Sequence, residues 1–181
     1  MTLYLVESVL PRQWQERQLE EKVAALTSAG QNQGVELVEV QAAQDLSRAF
    51  FIVQSKGQPE IREVFSSLGI PLTLIKQVRL VGQELEEVKQ GQVKVKYVVE
   101  WNLPEGLTME KYLARKKEKF PLYAKVPQAS FLRTYVCEDM TKCLCFYDAE
   151  DEQAVLKARE VVEAPVDSIT ELISQVVKDG K

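Results

Sequence analysis

The sequence predicts an α+β protein built from two tandem β-α-β-β-α-β units, and three observations carry that prediction. The chain repeats itself: Tyr4-Leu5-Val6-Glu7-Ser8-Val9-Leu10-Pro11 returns as Tyr97-Val98-Val99-Glu100-Trp101-Asn102-Leu103-Pro104, five of eight positions identical at an offset of 93. Two further blocks recur in the same order at an offset of 94, Asp45 to Val53 with Asp139 to Tyr147 and Ile70 to Ile75 with Ala164 to Ile169. The change of offset implies one inserted residue, placed most simply in or beside the first helix. Finally, 181 residues with 45% hydrophobic and 28% charged side chains suit one ordinary domain or two small ones.

Each element follows from local chemistry. Tyr4 to Val9 is an apolar, β-branched run stopped by Pro11. Trp14 to about Ala29 carries Leu19, Val23 and Leu26 at helical spacing, with Gly30 and Gly34 where the helix should stop. Val35 to Gln41 reads as a strand, Asp45-Leu46-Ser47 as a turn and Ala49 to Val53 as the returning strand. Pro59 suits the first turn of a helix bearing Ile61, Val64, Phe65 and Leu68, ended by Gly69. Leu74 to Val81 closes the copy. In the second copy Thr108 caps a helix with Tyr112, Leu113 and Lys116, broken at Pro121, and Asp151 to Val162 is the second helix. Gly82 to Val93, rich in Glu, Gln and Lys, reads as a linker.

This element order is the ferredoxin-like, split βαβ unit. Two helices cover one face of its sheet, and a second copy is the obvious cover for the other. The halves are therefore expected to be domains 1–82 and 93–181, joined by linker 83–92, packed sheet to sheet as an intramolecular α/β-barrel pseudo-dimer.

Strand alternation then assigns faces. Val95, Tyr97 and Val99 should meet the helices, turning Glu100, and by the repeat Glu7, to the opposite side. Leu132, Thr134 and Val136 read as helix-facing, which sends Phe131, Arg133, Tyr135 and Cys137 to the inter-sheet side, with Leu37, Glu39, Gln41 and Ala43 as their first-copy counterparts. Leu144 and Phe146 read as helix-facing, with Cys143, Cys145 and Tyr147 turned inward. The expected inter-sheet space thus collects Glu7, Glu39, Glu100, Arg133 and Tyr135. Charges so close must pair or shift their pKa values. One reading has Arg133 bridging glutamates and fixing how the halves dock. The other is a polar ligand pocket with Arg133 as anion or carbonyl anchor, the glutamates as acceptors and Tyr135 as donor.

Cys137, Cys143 and Cys145 lie within nine residues. They read as small buried side chains, as a thiolate trio for a soft, thiophilic ion such as Cu(I) or Zn(II), or as a Cys137–Cys143 disulfide. No other cofactor is predicted. An odd thiol count, with no secretory signal in Met1 to Glu7, favours a reducing cytoplasm. A net charge of −4 gives no reason to expect nucleic acid or an anionic membrane as partner, and the oligomeric state is open. The basic run Arg115-Lys116-Lys117-Glu118-Lys119 reads as a solvated helix face. The absence of histidine excludes Ser-His-Asp and Cys-His catalysis and His-ligated metals.

Tyr97-Val-Val-Glu-x-x-Leu-Pro104, Phe131 to Val136, Cys145 to Glu152 and Pro165 to Ile169 together resemble a family of small nickel-binding, ferredoxin-like domains. The resemblance covers nearly all of the second copy and, more weakly, the first; order and spacing carry it, no single motif being specific. It implies a dimeric α/β-barrel arrangement, here fused into one chain. Nickel-binding members of that family rely on histidines, one of them where this chain has Ala158, so the resemblance extends to the fold and not to the metal. Monooxygenases and haem-degrading proteins of the same barrel class are analogues at the level of fold. The expectation is a small-ligand-binding protein, with a thiolate metal handler, an enzyme using a cavity glutamate as general base, and a purely structural interaction module as alternatives.

Overall fold

The structure, a computed structural model, describes residues 1–91 and 93–174. It divides into two compact units, one of residues 1–78, 85–91 and 173–174, the other of 79–84 and 93–172. The expected linker is thus not a bare connector. Its residues include a short helix whose Val88 is buried, with Lys89 paired to Glu36 at 3.1 Å, so it packs as part of the first unit. Residue 92 of that linker and residues 175–181 of the expected second domain lie outside the described residues.

The first unit runs β1 (Thr2–Val9), α1 (Glu16–Gln33), β2 (Val35–Ala42), β3 (Arg48–Ser55), α2 (Gln58–Ser67), β4 (Leu74–Val81, its last residues counted with the second unit) and α3 (Leu85–Gln90). Its sheet order is β2-β3-β1-β4, antiparallel throughout. The second unit runs β5 (Tyr97–Asn102), α4 (Met109–Lys119), a 3-10 turn (Phe120–Lys125), β6 (Ala129–Cys137), β7 (Lys142–Ala149), α5 (Glu152–Val161) and β8 (Ser168–Glu171), ordered β6-β7-β5-β8. Both are ferredoxin-like βαββαβ units, as the sequence predicts.

Helix limits follow the capping chemistry. α1 runs through Gly30 and stops at Gly34, whose φ of 74° no β-carbon residue adopts cheaply. Gly30 is needed for another reason: a β-carbon there would sit 2.3 Å from the Val35 carbonyl oxygen. Thr108 Oγ1 accepts from the Lys111 amide at 3.2 Å, and Asp151 Oδ1 from the Ala154 amide at 2.8 Å.

The two units agree in detail. Asp45 and Asp139 each accept a hydrogen bond from the amide two residues on, at 2.9 and 3.1 Å, and hold the intervening Leu46 and Met140 in the left-handed region at φ 58° and 59°. Glu7 pairs with Arg48 at 3.4 Å, and Glu100 pairs with Lys142 at 2.7 Å, between the same two strands of each unit. Each second strand carries a bulge, between Leu37 and Glu39 in β2 and between Phe131 and Arg133 in β6.

Those bulges correct the expected faces. An extra residue on one strand turns Leu37 into the helix-side core and Phe131 toward the helix side, not away from it. In β7 the expectation is reversed. Cys143, Cys145 and Tyr147 stand opposite Trp101, Val99 and Tyr97 and share their helix-side core, so Leu144 and Phe146 take the other face. Cys137 stays on the far face with Tyr135, so the three thiols do not converge, and Val136 rather than Cys137 is the partner of Cys143.

The cores differ in fullness. In the first unit α1 buries Leu19, Val23, Leu26 and Gly30, and α2 buries Ile61, Val64 and Phe65. In the second, α4 buries Tyr112 alone and the 3-10 turn buries nothing. A thinner layer over the sheet leaves room beneath it.

Candidate functional site

The residues singled out from the sequence divide between the units. Glu7 and Glu39 lie in the first, on the sheet face away from its helices. Both are buried; Glu7 is paired with Arg48, and Glu39 Oε2 accepts from Gln41 Nε2 at 3.0 Å. Glu100, Arg133 and Tyr135 share the corresponding face of the second unit. Lys142 engages Glu100, Arg133 Nη1 donates to Gln83 Oε1 at 3.1 Å with its guanidinium 5.3 Å from the Phe146 ring, and Tyr135 packs edge-on against Phe146.

A cavity of about 490 Å³ lies on the other side of the second sheet, within that unit. Trp101, Tyr112, Phe120, Tyr123 and Phe131 supply aromatic walls, with Phe131 stacked on Tyr123 at 5.2 Å. Gly82 closes one edge at φ 98°, where a β-carbon would meet the Phe131 ring at 3.0 Å. Arg115, Lys116, Lys117, Lys119 and Arg159 bring five cations, and no carboxylate is among the lining residues. The basic run expected to be merely solvated thus borders the cavity. Lys116 lies 4.5 Å over the Phe131 ring, Lys119 pairs with Glu163 at 3.1 Å, and Arg115 donates to the Glu163 carbonyl.

The polar centre is Arg159, 2% exposed. Its Nη1 donates to Cys145 Sγ at 3.3 Å and to Tyr147 Oη at 3.2 Å, and its Nη2 donates to the Pro165 carbonyl at 2.7 Å. Its Nε has no partner. Tyr112 Oη is buried against the Cys143 thiol, with which it interacts. Tyr123 and Tyr147 share a hydrogen bond at 2.8 Å.

Electrostatics sharpen the picture. A hydrogen bond from Cys143, the charges of Lys116 and Arg159, and the Thr134 hydroxyl at 3.1 Å hold the Cys145 thiol well below its ordinary range, although burial alone would raise it. Cys143, as the donor in that bond, is raised well above it. Burial opposes the charge of Arg159, but Cys145 and Tyr147 more than restore it. Burial also raises Tyr112 and Tyr147 and pushes Tyr123 up to about 12, so all three phenols remain donors near neutrality.

Position by position, the first unit holds no such cluster. Its α2 and β3 align with α5 and β7 at the offset of 94, which puts Phe65 where Arg159 stands and Phe51 where Cys145 stands. Phe51 and Phe65 meet edge to face at 5.3 Å. One scaffold position carries an apolar aromatic pair in one unit and a thiol–guanidinium pair in the other. Arg159 was missed from the sequence because a lone Arg on a helix reads as solvated; comparing the helices at that offset would have revealed it.

Residues 97–172 match the family described as nickel responsive protein SCO4226-like. No curated protein matches the chain. Among solved structures, the chain is similar to a candidate chlorite dismutase (11% identity, 96% of this chain and 95% of that one, TM-score 0.55). It is also similar to an anthrone oxidase-like protein (12%, 95% and 90%, TM-score 0.53) and to a candidate monooxygenase from Lactobacillus acidophilus NCFM (9%, 99% and 96%, TM-score 0.51). At such identities the likeness is one of fold, which these proteins share with the chain along nearly its whole length. Nickel does not fit the residues present: the chain has no histidine, and among the described residues no three His, Cys, Asp or Glu side chains are grouped to hold a metal ion. No helix among the described residues is long and apolar enough to cross a membrane.

Proposed function

We propose that the protein binds a small organic anion with a flat, apolar body in the helix-side cavity of its second unit. The observation that carries this reading is an aromatic cavity whose lining includes five cations and no carboxylate. Aromatic walls take up the body of the ligand, and the lining cations take its acidic group. The sheet-side glutamates fit a structural role better, since Glu7 and Glu100 each have a cation from the neighbouring strand. On this reading the two units descend from a duplication: the first kept a plain aromatic core and the second exchanged it for a site. The family and the structural neighbours support the scaffold and leave the ligand to the cavity's own chemistry.

Binding of 2-naphthoate, followed by calorimetry and by Trp101 fluorescence in a Trp14→Phe background, tests the proposal. A charge-assisted hydrogen bond contributes about 1.5–3 kcal/mol, so the neutral 2-naphthalenemethanol should bind roughly 10- to 100-fold more weakly. Equal affinity for the two compounds, or none for either, would refute an anion site.

A further inference from the structure

We propose that Cys145 is the reactive nucleophile of this cavity, placed to form a thioether with α,β-unsaturated carbonyl compounds that also carry an acidic group. The inference rests on the reading of the cavity as an anion site and adds covalent chemistry to it. Three features place the nucleophile. Cys145 lines the cavity, whereas Cys137 belongs to the other face of the sheet. Its Sγ accepts from Thr134 Oγ1 at 3.1 Å and from Arg159 Nη1 at 3.3 Å, donors that stabilise an anionic sulfur and fix its direction. Lys116 and Lys117, which line the same cavity, remain for the acid of a bound electrophile.

No histidine is needed as base, because the guanidinium and hydroxyl stabilise the thiolate directly and its proton passes to solvent. The sulfur lone pair forms the C–S bond at the β-carbon. The π pair of the alkene moves onto the carbonyl-bearing α-carbon, which then takes a proton from water. The net change is addition of S–H across C=C, with no oxidant or reductant. The matched position in the first unit is Phe51, so the chemistry is confined to the second.

The full-length reduced protein is treated with 3-maleimidopropionic acid and, in parallel, with N-ethylmaleimide, the same ring without the acid. Peptide mass spectrometry locates the adducts and their rates. Cys145 should be modified before Cys137 and Cys143, and the acid should react about tenfold faster than the neutral reagent, as steering by a cationic cavity allows. Lys116→Gln should cut that ratio at least in half. Adducts at Cys137 first, equal rates for the two reagents, or an unmodified Cys145 from pH 6 to 9 would each overturn the proposal. If 2-naphthoate binds but Cys145 stays unmodified, only the covalent step is lost; if neither occurs, the anion site is lost too.

Discussion

Replacing Arg159 by Leu is the most informative perturbation of the second unit. The guanidinium is almost wholly shielded and holds the Pro165 carbonyl, the Tyr147 hydroxyl and the Cys145 sulfur. Removing one partner of a buried charge pair costs about 3–5 kcal/mol, because the other is left without its counter-charge. A buried leucine returns about 1.5–2 kcal/mol of apolar burial. The net expectation is a loss of about 1–3.5 kcal/mol. Changing Cys145 to Val as well removes both partners, and such double replacements are often near neutral. The double variant should therefore lie about 2 kcal/mol above the sum of the single effects. Urea unfolding of all four proteins, followed by circular dichroism and by Trp101 fluorescence without Trp14, measures the cycle. Strict additivity, or a single Arg159→Leu effect below about 0.5 kcal/mol, would show that the contact is incidental and that the cluster is not a coupled unit.

Further expectations concern pH and packing. The folded Cys145 thiol is held below the ordinary value of about 9.0, so its contribution to stability is fully present above that value and is lost as pH falls through the lowered one. The stability difference between wild type and Cys145→Ala, read from urea midpoints, should therefore grow as pH rises toward about 9.0; a flat or falling difference contradicts the assigned direction. Gly82→Ala should destabilise by about 1–2 kcal/mol, through its left-handed φ, and weaken 2-naphthoate binding through its approach to Phe131; an unchanged melting temperature would contradict this. Lys142→Met leaves Glu100 without its 2.7 Å partner and should cost about 1–3 kcal/mol, while Lys142→Arg should recover most of it in the same denaturation assay. Asp151→Ala should cost about 1 kcal/mol by removing the α5 cap, and Asp151→Asn much less.

Much of the fold was legible because it depends on local rules. The strand bounded by Pro11, the helix stopped at Gly34 and the cap at Thr108 each need only a few neighbouring residues. The side of β5 facing the helices could be read because Tyr97 and Val99 alternate with Glu100. β7 defeated the same rule. Both of its faces are buried, so Leu144 and Phe146 outrank Cys143 and Cys145 in hydrophobicity without saying which side the helices occupy; only pairing with β5 decides that. The bulges in β2 and β6 invert faces midway along a strand that shows no Gly or Pro to announce them. The cavity was hidden for a related reason: it depends on how little α4 and the following 3-10 turn bury, and α4's basic run looks the same whether it meets water or a ligand.

The replacement of Phe51 and Phe65 by Cys145 and Arg159 at matched positions gives this polypeptide a built-in reference. One tryptophan, Trp14, packs beside the first core, and the other, Trp101, borders the cavity of the second. Heat, denaturant or acid acts on both halves in one tube and at one concentration, so two emission signals from a single molecule separate the energetic burden of harbouring a charged cluster from that of the scaffold itself. Transplanting the aromatic couple into the second half, or the thiol and guanidinium into the first, then becomes an exchange experiment in which host and donor are already covalently joined.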